Sequence, residues 1–313
     1  MLYNSTRKGI FAQELGKNYG SHSALQSINL DIEEGSICGL VGTNGAGKST
    51  LLRLLAGVFP QTSGILRVFD SHPFSSGNHA SNKIIFIPDI PYFLQGSTIN
   101  KMAEFFGGEI ECERLKELCE KLNLDMNEKI ARFSKGVKQL SAIVLALSRH
   151  PKILIADETF DGLDPVSRTA VKKLIIDEVQ SRKMTVIISS HSLREIEDFC
   201  DTLIVLHKGE IIEQADISSL KESIFKGQIA FSNKYDVNEL AKEHGFKVLS
   251  SEKSDSLTIF TAEGNIMQSR EQLSALSPTL LNLQPLTLEE IFTQRVSFKG
   301  YDFSNILGGN ANE

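Results

Sequence analysis

Gly42-Thr43-Asn44-Gly45-Ala46-Gly47-Lys48-Ser49 is a glycine-rich loop closed by a lysine and a hydroxyl residue. Its glycines let the backbone N–H groups from about Asn44 to Thr50, those of Gly45, Ala46 and Gly47 among them, turn inward around an anion. A helix beginning near Lys48 adds its positive end. In this pattern Lys48 bridges the β- and γ-phosphates of a nucleotide and Ser49 ligates Mg²⁺. By chance such a loop arises in about one chain of this length in a hundred, so its flanks decide. An apolar strand, Ile37–Val41, precedes it, and an apolar helix, Ser49–Ala56, follows.

A second chemical pair, Asp157-Glu158, ends the apolar run Ile153–Ala156. Asp157 stands where it can hold Mg²⁺ through water. Glu158 can accept a proton from water attacking the terminal phosphate, a role worth ~10²–10⁴-fold in rate. Two carboxylates at a strand end are ordinary by themselves. Coupled to a phosphate loop they are a catalytic site.

These residues need a scaffold of strands alternating with helices. Strands are predicted at Ile37–Val41, Ile84–Ile87, Ile153–Ala156, Thr185–Ser189 and Leu203–Leu206, with helices at Ser49–Ala56, Glu111–Leu122, Ser134–Ser148, Val166–Arg182 and Leu193–Cys200. That alternation implies an α/β fold with a parallel sheet. Phe11–Leu15 and Leu25–Ile32 read as a smaller antiparallel piece, and residues 90–150 as a mostly helical insert. After about Ala215 the character changes to strand, helix, strand, strand, helix, strand, the order of a split βαβ or ferredoxin-like module. Its elements are Gln228–Phe231, Asp236–His244, Lys247–Leu249, Ser256–Thr261, Asn265–Leu276 and Leu280–Leu283, then a last helix at Thr287–Val296. Capping-box spacing opens two of these helices, at Asp236-x-x-Glu239 and Thr287-x-x-Glu290. The expected division is 1–215, 216–303 and a frayed tail at 304–313.

The 313 residues carry 33 Lys and Arg against 39 Asp and Glu, a net charge of −6. That balance argues against nucleic acid as the main partner. Cys38, Cys112, Cys119 and Cys200 form no C-x-x-C pair and read as reduced, packed thiols. No run approaches the roughly 20 apolar residues of a membrane span, and the N-terminal residues Met1–Lys8 lack the apolar stretch of a signal peptide.

The order of features resembles the nucleotide-binding subunit of ATP-binding-cassette (ABC) transporters over about residues 10–214. Tyr19 matches the aromatic that stacks on adenine, and Asp89 the Q-loop position, where it is expected to act in catalysis and on Mg²⁺. Phe133-Ser134-Lys135-Gly136-Val137 stands at the signature, Gly162-Leu163-Asp164 at the D-loop, and His191, after Ser190, at the switch histidine. Three departures stand out: Asp89 replaces glutamine, Lys135 and Val137 alter the signature, and Thr159-Phe160 replaces the usual residues after the base.

The resemblance implies a phosphate-loop ATPase core with an antiparallel β subdomain, plus a small C-terminal α+β domain. It implies two nucleotide-binding subunits, identical or paralogous, facing head to tail. Each ATP is then clasped by the phosphate loop of one and by Ser134 and Gly136 of the other, with Asp164 contacting the neighbour and His191 orienting the γ-phosphate. It also implies a separate multi-span permease, with this chain peripheral on the cytoplasmic face of the membrane. Ile90-Pro91-Tyr92-Phe93-Leu94 is the expected docking loop. The signature and the late Pro285–Phe292 segment are similar to bacterial exporters. An importer subunit with a regulatory C-terminal domain and a soluble ABC switch on ribosomes or DNA are the alternatives.

Overall fold

The computed structural model describes residues 9–69, 71–74, 83–107, 110–233 and 235–292. The N-terminal octapeptide, the tail at 304–313 and the end of the helix expected at Thr287–Val296 lie outside them. The chain divides into two units. One runs through His191 and takes in Phe199–Gln214, and the other joins Ser192–Asp198 to the chain from Ala215.

In the first unit, β1 (Gly9–Tyr19) and β2 (His22–Glu33) turn Ile10, Ala12, Leu15, Leu25, Ile28, Leu30 and Ile32 inward. Both run beyond the Phe11–Leu15 and Leu25–Ile32 of the sequence reading, because pairing carries the backbone past the last apolar position. Tyr19 lies opposite His22 across a two-residue turn. β3 (Ile37–Gly42) is buried at every position and leads through the loop into α1 (Lys48–Leu55), which buries Leu51, Leu52, Leu54 and Leu55. β4 (Ser63–Val68) completes an antiparallel sheet in the order β2-β1-β4. The sequence reading missed it because only Leu66 and Val68 are buried.

β5 (Ile84–Ile87) opens the parallel sheet. The insert then supplies α2 (Ile99–Phe106), α3 (Cys112–Lys121) and α4 (Lys135–Leu147) before β6 (Ile153–Ala156). Cys112 is exposed in the first turn of α3 whereas Cys119 is buried, so only one of that pair is a packed thiol. α5 (Pro165–Arg182) starts at an Asp164 cap with proline in its first turn, and β7 (Thr185–Ser190) is wholly buried.

In the second unit, α6 (Leu193–Glu197) corrects the Leu193–Cys200 expectation, being shorter and outside the ATPase unit. Back in the first unit, β8 (Thr202–His207) and β9 (Glu210–Asp216, within that unit as far as Gln214) complete the six-stranded sheet. The order β5-β6-β7-β3-β8-β9 sets β7 between the loop-bearing strand and the acidic strand. The first five of these strands pair in parallel, and full burial explains their unbroken apolar runs.

The second unit continues through α7 (Ile217–Ser223), β10 (Ile224–Ala230), α8 (Val237–Glu243), β11 (Lys247–Ser254), β12 (Leu257–Glu263), α9 (Ile266–Ala275) and β13 (Leu280–Pro285). The sheet order β11-β12-β10-β13, antiparallel throughout, is the split βαβ arrangement the sequence suggested. Phe225, Phe246 and Phe260 form its centre. A Cβ at Gly227 would lie 2.2 Å from the Phe260 ring, so only glycine fits there. Thr287 and Glu290 make a reciprocal capping box, N–H to Oε2 at 3.0 Å and N–H to Oγ1 at 3.2 Å.

Candidate functional site

The loop after β3 owes its shape to glycine. Gly45 and Gly47 have φ of 78° and 104°, a region that other residues rarely adopt. A Cβ on Gly47 would also lie 2.8 Å from both the Ala24 carbonyl oxygen and Leu25 Cδ2. Gly47 precedes α1 without a side-chain cap, so the first N–H groups of the helix have no side-chain acceptor. That is the arrangement that receives an anion.

Lys48 is 5% exposed, and its Nζ donates to the Gly42 carbonyl oxygen at 2.7 Å. Burial lowers its pKa from the ordinary 10.5, with Glu158, Asp157 and Asp161 pulling weakly the other way. The ammonium is therefore poised to gain from a further negative charge.

Strand order brings the other groups to the loop. β7 lies between β3 and β6, so its C-terminal end is next to both. Ser189 donates to Asp157 Oδ1 at 2.6 Å and accepts the Glu158 N–H at 2.9 Å. Glu158 has a φ of 50°, a left-handed turn that aims its side chain back toward the loop. Its Oε1 lies 2.7 Å from His191 Nε2 and 3.8 Å from Lys48 Nζ. An Asp161 oxygen lies within 4.8 Å of the Glu158 and His191 ligand atoms. Sequence reasoning passed over both Ser189 and Asp161. The signal for Ser189 was a hydroxyl residue just before Ser190-His191 at the end of a buried strand.

Thr159 and Phe160, the departure without a sequence explanation, have a structural one. Both are buried. Phe160 packs edge-on against Phe199, centroids 5.5 Å apart, and Lys172 Nζ lies 5.9 and 5.4 Å from the two ring centroids. This anchor fixes the backbone that follows Glu158.

Tyr19, His22, Ser23, Ala24, Glu158 and Lys208 surround the phosphate loop in an open cleft of about 550 Å³, which Thr43 to Thr50 also line. That volume suits a small molecule. Tyr19 is 47% exposed and steadied edge-on by Phe59, with Lys17 above both rings. Ser49 and Asp157 suit a hard divalent cation. The Ser49 hydroxyl lines the cleft, and Asp157 has one oxygen engaged by Ser189 and the other without a donor among the described residues.

Asp89, Ser134, Gly136 and Asp164 do not line this cleft. Two of the departures instead meet each other, Lys135 Nζ lying 3.7 Å from Asp89 Oδ1. The Lys135 stem also lies over Gly162, and a Cβ on Gly136 would come within 2.6 Å of the Gly162 carbonyl oxygen. Ser134 caps α4, accepting from the Val137 N–H at 3.3 Å. Asp164 caps α5 with two bonds of 3.0 Å. The arrangement in one chain can seat a polyphosphate and hold a basic carboxylate near its end.

Comparison with known proteins follows the same lines. Residues 25–161 match the family described as ABC transporter. The chain is 28% identical over 290 residues to the ABC transporter ATP-binding protein YtrB of Bacillus subtilis, covering 92% of this chain and 98% of that one. It is 34% identical over 227 residues to the lantibiotic transport ATP-binding protein SrtF of Streptococcus pyogenes, covering 71% of this chain and 98% of that one. A solved structure described as an ATP binding subunit of an ABC transporter superposes with a TM-score of 0.64 at 25% identity, covering 68% of this chain and 92% of that one.

Proposed function

The chain belongs to the ATP-binding, ATP-hydrolysing subunits of ABC transporters, and we propose that it drives export through a separate membrane permease by closing, with ATP, against a second nucleotide-binding subunit. The observation that carries this reading is the placement of Glu158 Oε1 between His191 and Lys48 at the mouth of the phosphate loop.

Tyr19 takes the adenine, and the N–H groups of Asn44, Gly45, Gly47 and Thr50 take the phosphates, while that of Ala46, expected from sequence to join them, donates to the Thr43 oxygen at 3.0 Å. Lys48 exchanges its bond to the Gly42 oxygen for the β- and γ-phosphates, whose negative charge offsets the cost of burying its ammonium. Ser49 and Asp157 would hold Mg²⁺, which supplies charge neutralisation on the phosphates. Glu158 accepts the proton of the attacking water. His191 holds that carboxylate in place and orients the γ-phosphate.

One subunit leaves the γ-phosphate open on the side away from the loop. Ser134 and Gly136 of the second subunit close it, with Asp164 at the interface. These donors gain only when the γ-phosphate is present, so binding favours the closed pair and hydrolysis releases it. Asp89 stands where it can report this event to the insert, its pairing with Lys135 linking core and signature in one subunit.

The membrane partner is expected at a cleft of about 270 Å³ whose lining includes Phe86, Tyr92, Phe93, Met102, Phe106 and Arg149. Ile90 and Tyr92 are 77% and 81% exposed, and apolar groups that open to solvent mark a docking surface. No helix among the described residues is long and apolar enough to cross a membrane. In the proposed reading the partner provides the translocation path, and this chain works at the cytoplasmic face. SrtF is described as a lantibiotic transport protein, and transport of a product of that kind is consistent with the proposed export.

Affinity purification of the full chain from solubilised membranes should recover a multi-span membrane protein in stoichiometric amount. Tyr92→Ala with Phe93→Ala should lose it and keep nucleotide binding. Retention of the membrane protein by that variant, or its absence from the wild-type preparation, would overturn the proposal.

A further inference from the structure

We infer that Lys208 is a further nucleotide-binding residue, one that holds the phosphates nearest the ribose. The inference rests on the cleft being the ATP site. Lys208 lines that cleft beside the phosphate loop. Its neighbours in charge are occupied: Lys48 donates to Gly42, and Lys17 donates to the Pro60 oxygen at 2.6 Å. The Lys208 ammonium has no hydrogen bond or ion pair among the described residues, although it stands at the edge of an anion-binding loop.

Its backbone points the same way. Lys208 and Gly209 are the two residues joining β8 to β9, with φ of 46° and 82°. A two-residue hairpin with both φ values positive favours Asn-Gly or Asp-Gly. A lysine adopts that left-handed backbone less readily than asparagine, aspartate or glycine. The chain carries a long cation where a short polar residue would fold more easily. Strain at a cleft residue points to function.

The turn is also held in one place relative to the phosphates. The Gly209 N–H donates to the Ala46 oxygen at 2.9 Å, and the Gly209 oxygen accepts from the Gln26 N–H at 2.8 Å. Ala46 is in the middle of the phosphate loop, two residues before Lys48. Tyr19 and His22, opposite each other in the β1–β2 register, mark the base end. Lys208 is thus carried by the turn on the same cleft wall as the phosphate loop and the Tyr19–His22 end. Its partners are the non-bridging oxygens that ATP and ADP share, so it retains nucleotide in both states, unlike the γ-phosphate contacts.

The test compares Lys208→Asn with Lys208→Arg in the full chain, measuring equilibrium binding of ATP, ADP and adenosine. Asparagine suits the turn and removes the charge, so folding and melting temperature should hold. Its affinity for ATP and for ADP should fall by the same factor, about three- to tenfold for one exposed charge-assisted contact. Adenosine binding should not change, and arginine should restore the affinity for both nucleotides. Equal binding of ATP and ADP by wild type and Lys208→Asn would overturn the inference alone. A loss confined to ATP would overturn it too, placing the lysine at the γ-phosphate. Wild-type protein that binds neither nucleotide would instead overturn the reading of the cleft.

Discussion

Glu158→Gln separates the chemical step from the mechanical one. The amide keeps the length of the side chain, and its carbonyl oxygen can still take the 2.7 Å contact from His191. What disappears is a basic carboxylate and its charge. Losing a general base costs ~10²–10⁴-fold in turnover, which at 1.36 kcal/mol per tenfold is about 3–5 kcal/mol of barrier. The charge loss has a second effect. At 3.8 Å and an effective dielectric of ~20, Glu158 and Lys48 attract by roughly 4 kcal/mol before desolvation. Solvent reaches a fifth of the Glu158 side chain, and Lys48 keeps its Gly42 bond. The empty variant should therefore lose only about 1 kcal/mol. ATP then gives Lys48 the counter-charge that glutamine withholds, so binding should be as tight as in wild type or tighter. Phosphate release, equilibrium ATP binding and sedimentation with and without millimolar ATP read the three effects. The expected result is hydrolysis down at least a hundredfold (the lower bound above), ATP retained, and a dimer that forms only with ATP. Turnover within about threefold of wild type would refute the base assignment. A variant that binds ATP, hydrolyses slowly and stays monomeric would refute the closing step.

Two further outcomes follow from the same geometry. Lys48→Met should abolish nucleotide binding yet leave the empty protein with an equal or higher melting temperature, because burial disfavours the ammonium. Lys48 has a folded pKa below its unfolded 10.5, so between those values the unfolded chain holds more protons and wild-type stability rises with pH. The gap between variant and wild type should then narrow as pH climbs toward 10.5, and a gap that widens in urea titrations at pH 7 and 9.5 would contradict the burial argument. Gly136→Ala places a Cβ 2.6 Å from the Gly162 oxygen. The shift should cost about 1–3 kcal/mol at the signature and D-loop, weakening the ATP-dependent dimer of a Glu158→Gln background roughly 5–150-fold, with ATP binding by the monomer unchanged. Loss of monomer binding instead would place Gly136 in the wrong part of the mechanism.

The parts of the site that lie along the chain were legible from sequence. The phosphate loop and the Asp157-Glu158 strand end each announce themselves by residue type and by a neighbouring apolar run, whereas Tyr19 was picked out only by the family resemblance. The parallel sheet was legible because strands buried on both faces leave runs such as Ile153–Ala156 that no helix period explains. What the sequence could not show depends on strand order. Ser189 became a partner of Asp157 only because β7 lies between β3 and β6, and no local pattern encodes that order. β4 was hidden because a strand with two buried residues has almost no apolar signature. α6 was misplaced because an apolar helix says that it packs, without saying against which core.

The departures from the family pattern are better read as positioning than as loss. A left-handed residue at Glu158 costs free energy, and something must hold the backbone there. Phe160 does so, buried on Phe199 with Lys172 alongside, while the Ser189 hydroxyl secures the Glu158 N–H from the other side. Asp89 and Lys135 follow the same logic. Either residue alone would put an uncompensated charge where the pattern has a neutral one, yet together they form a pair that crosses from core to insert. Its exposure limits the attraction to under about 1 kcal/mol. In the proposed closing mechanism, a tether that weak can stabilise the open chain and still yield when a second subunit brings phosphate to Ser134 and Gly136. A stronger one would resist the closing proposed for the ATP-bound pair.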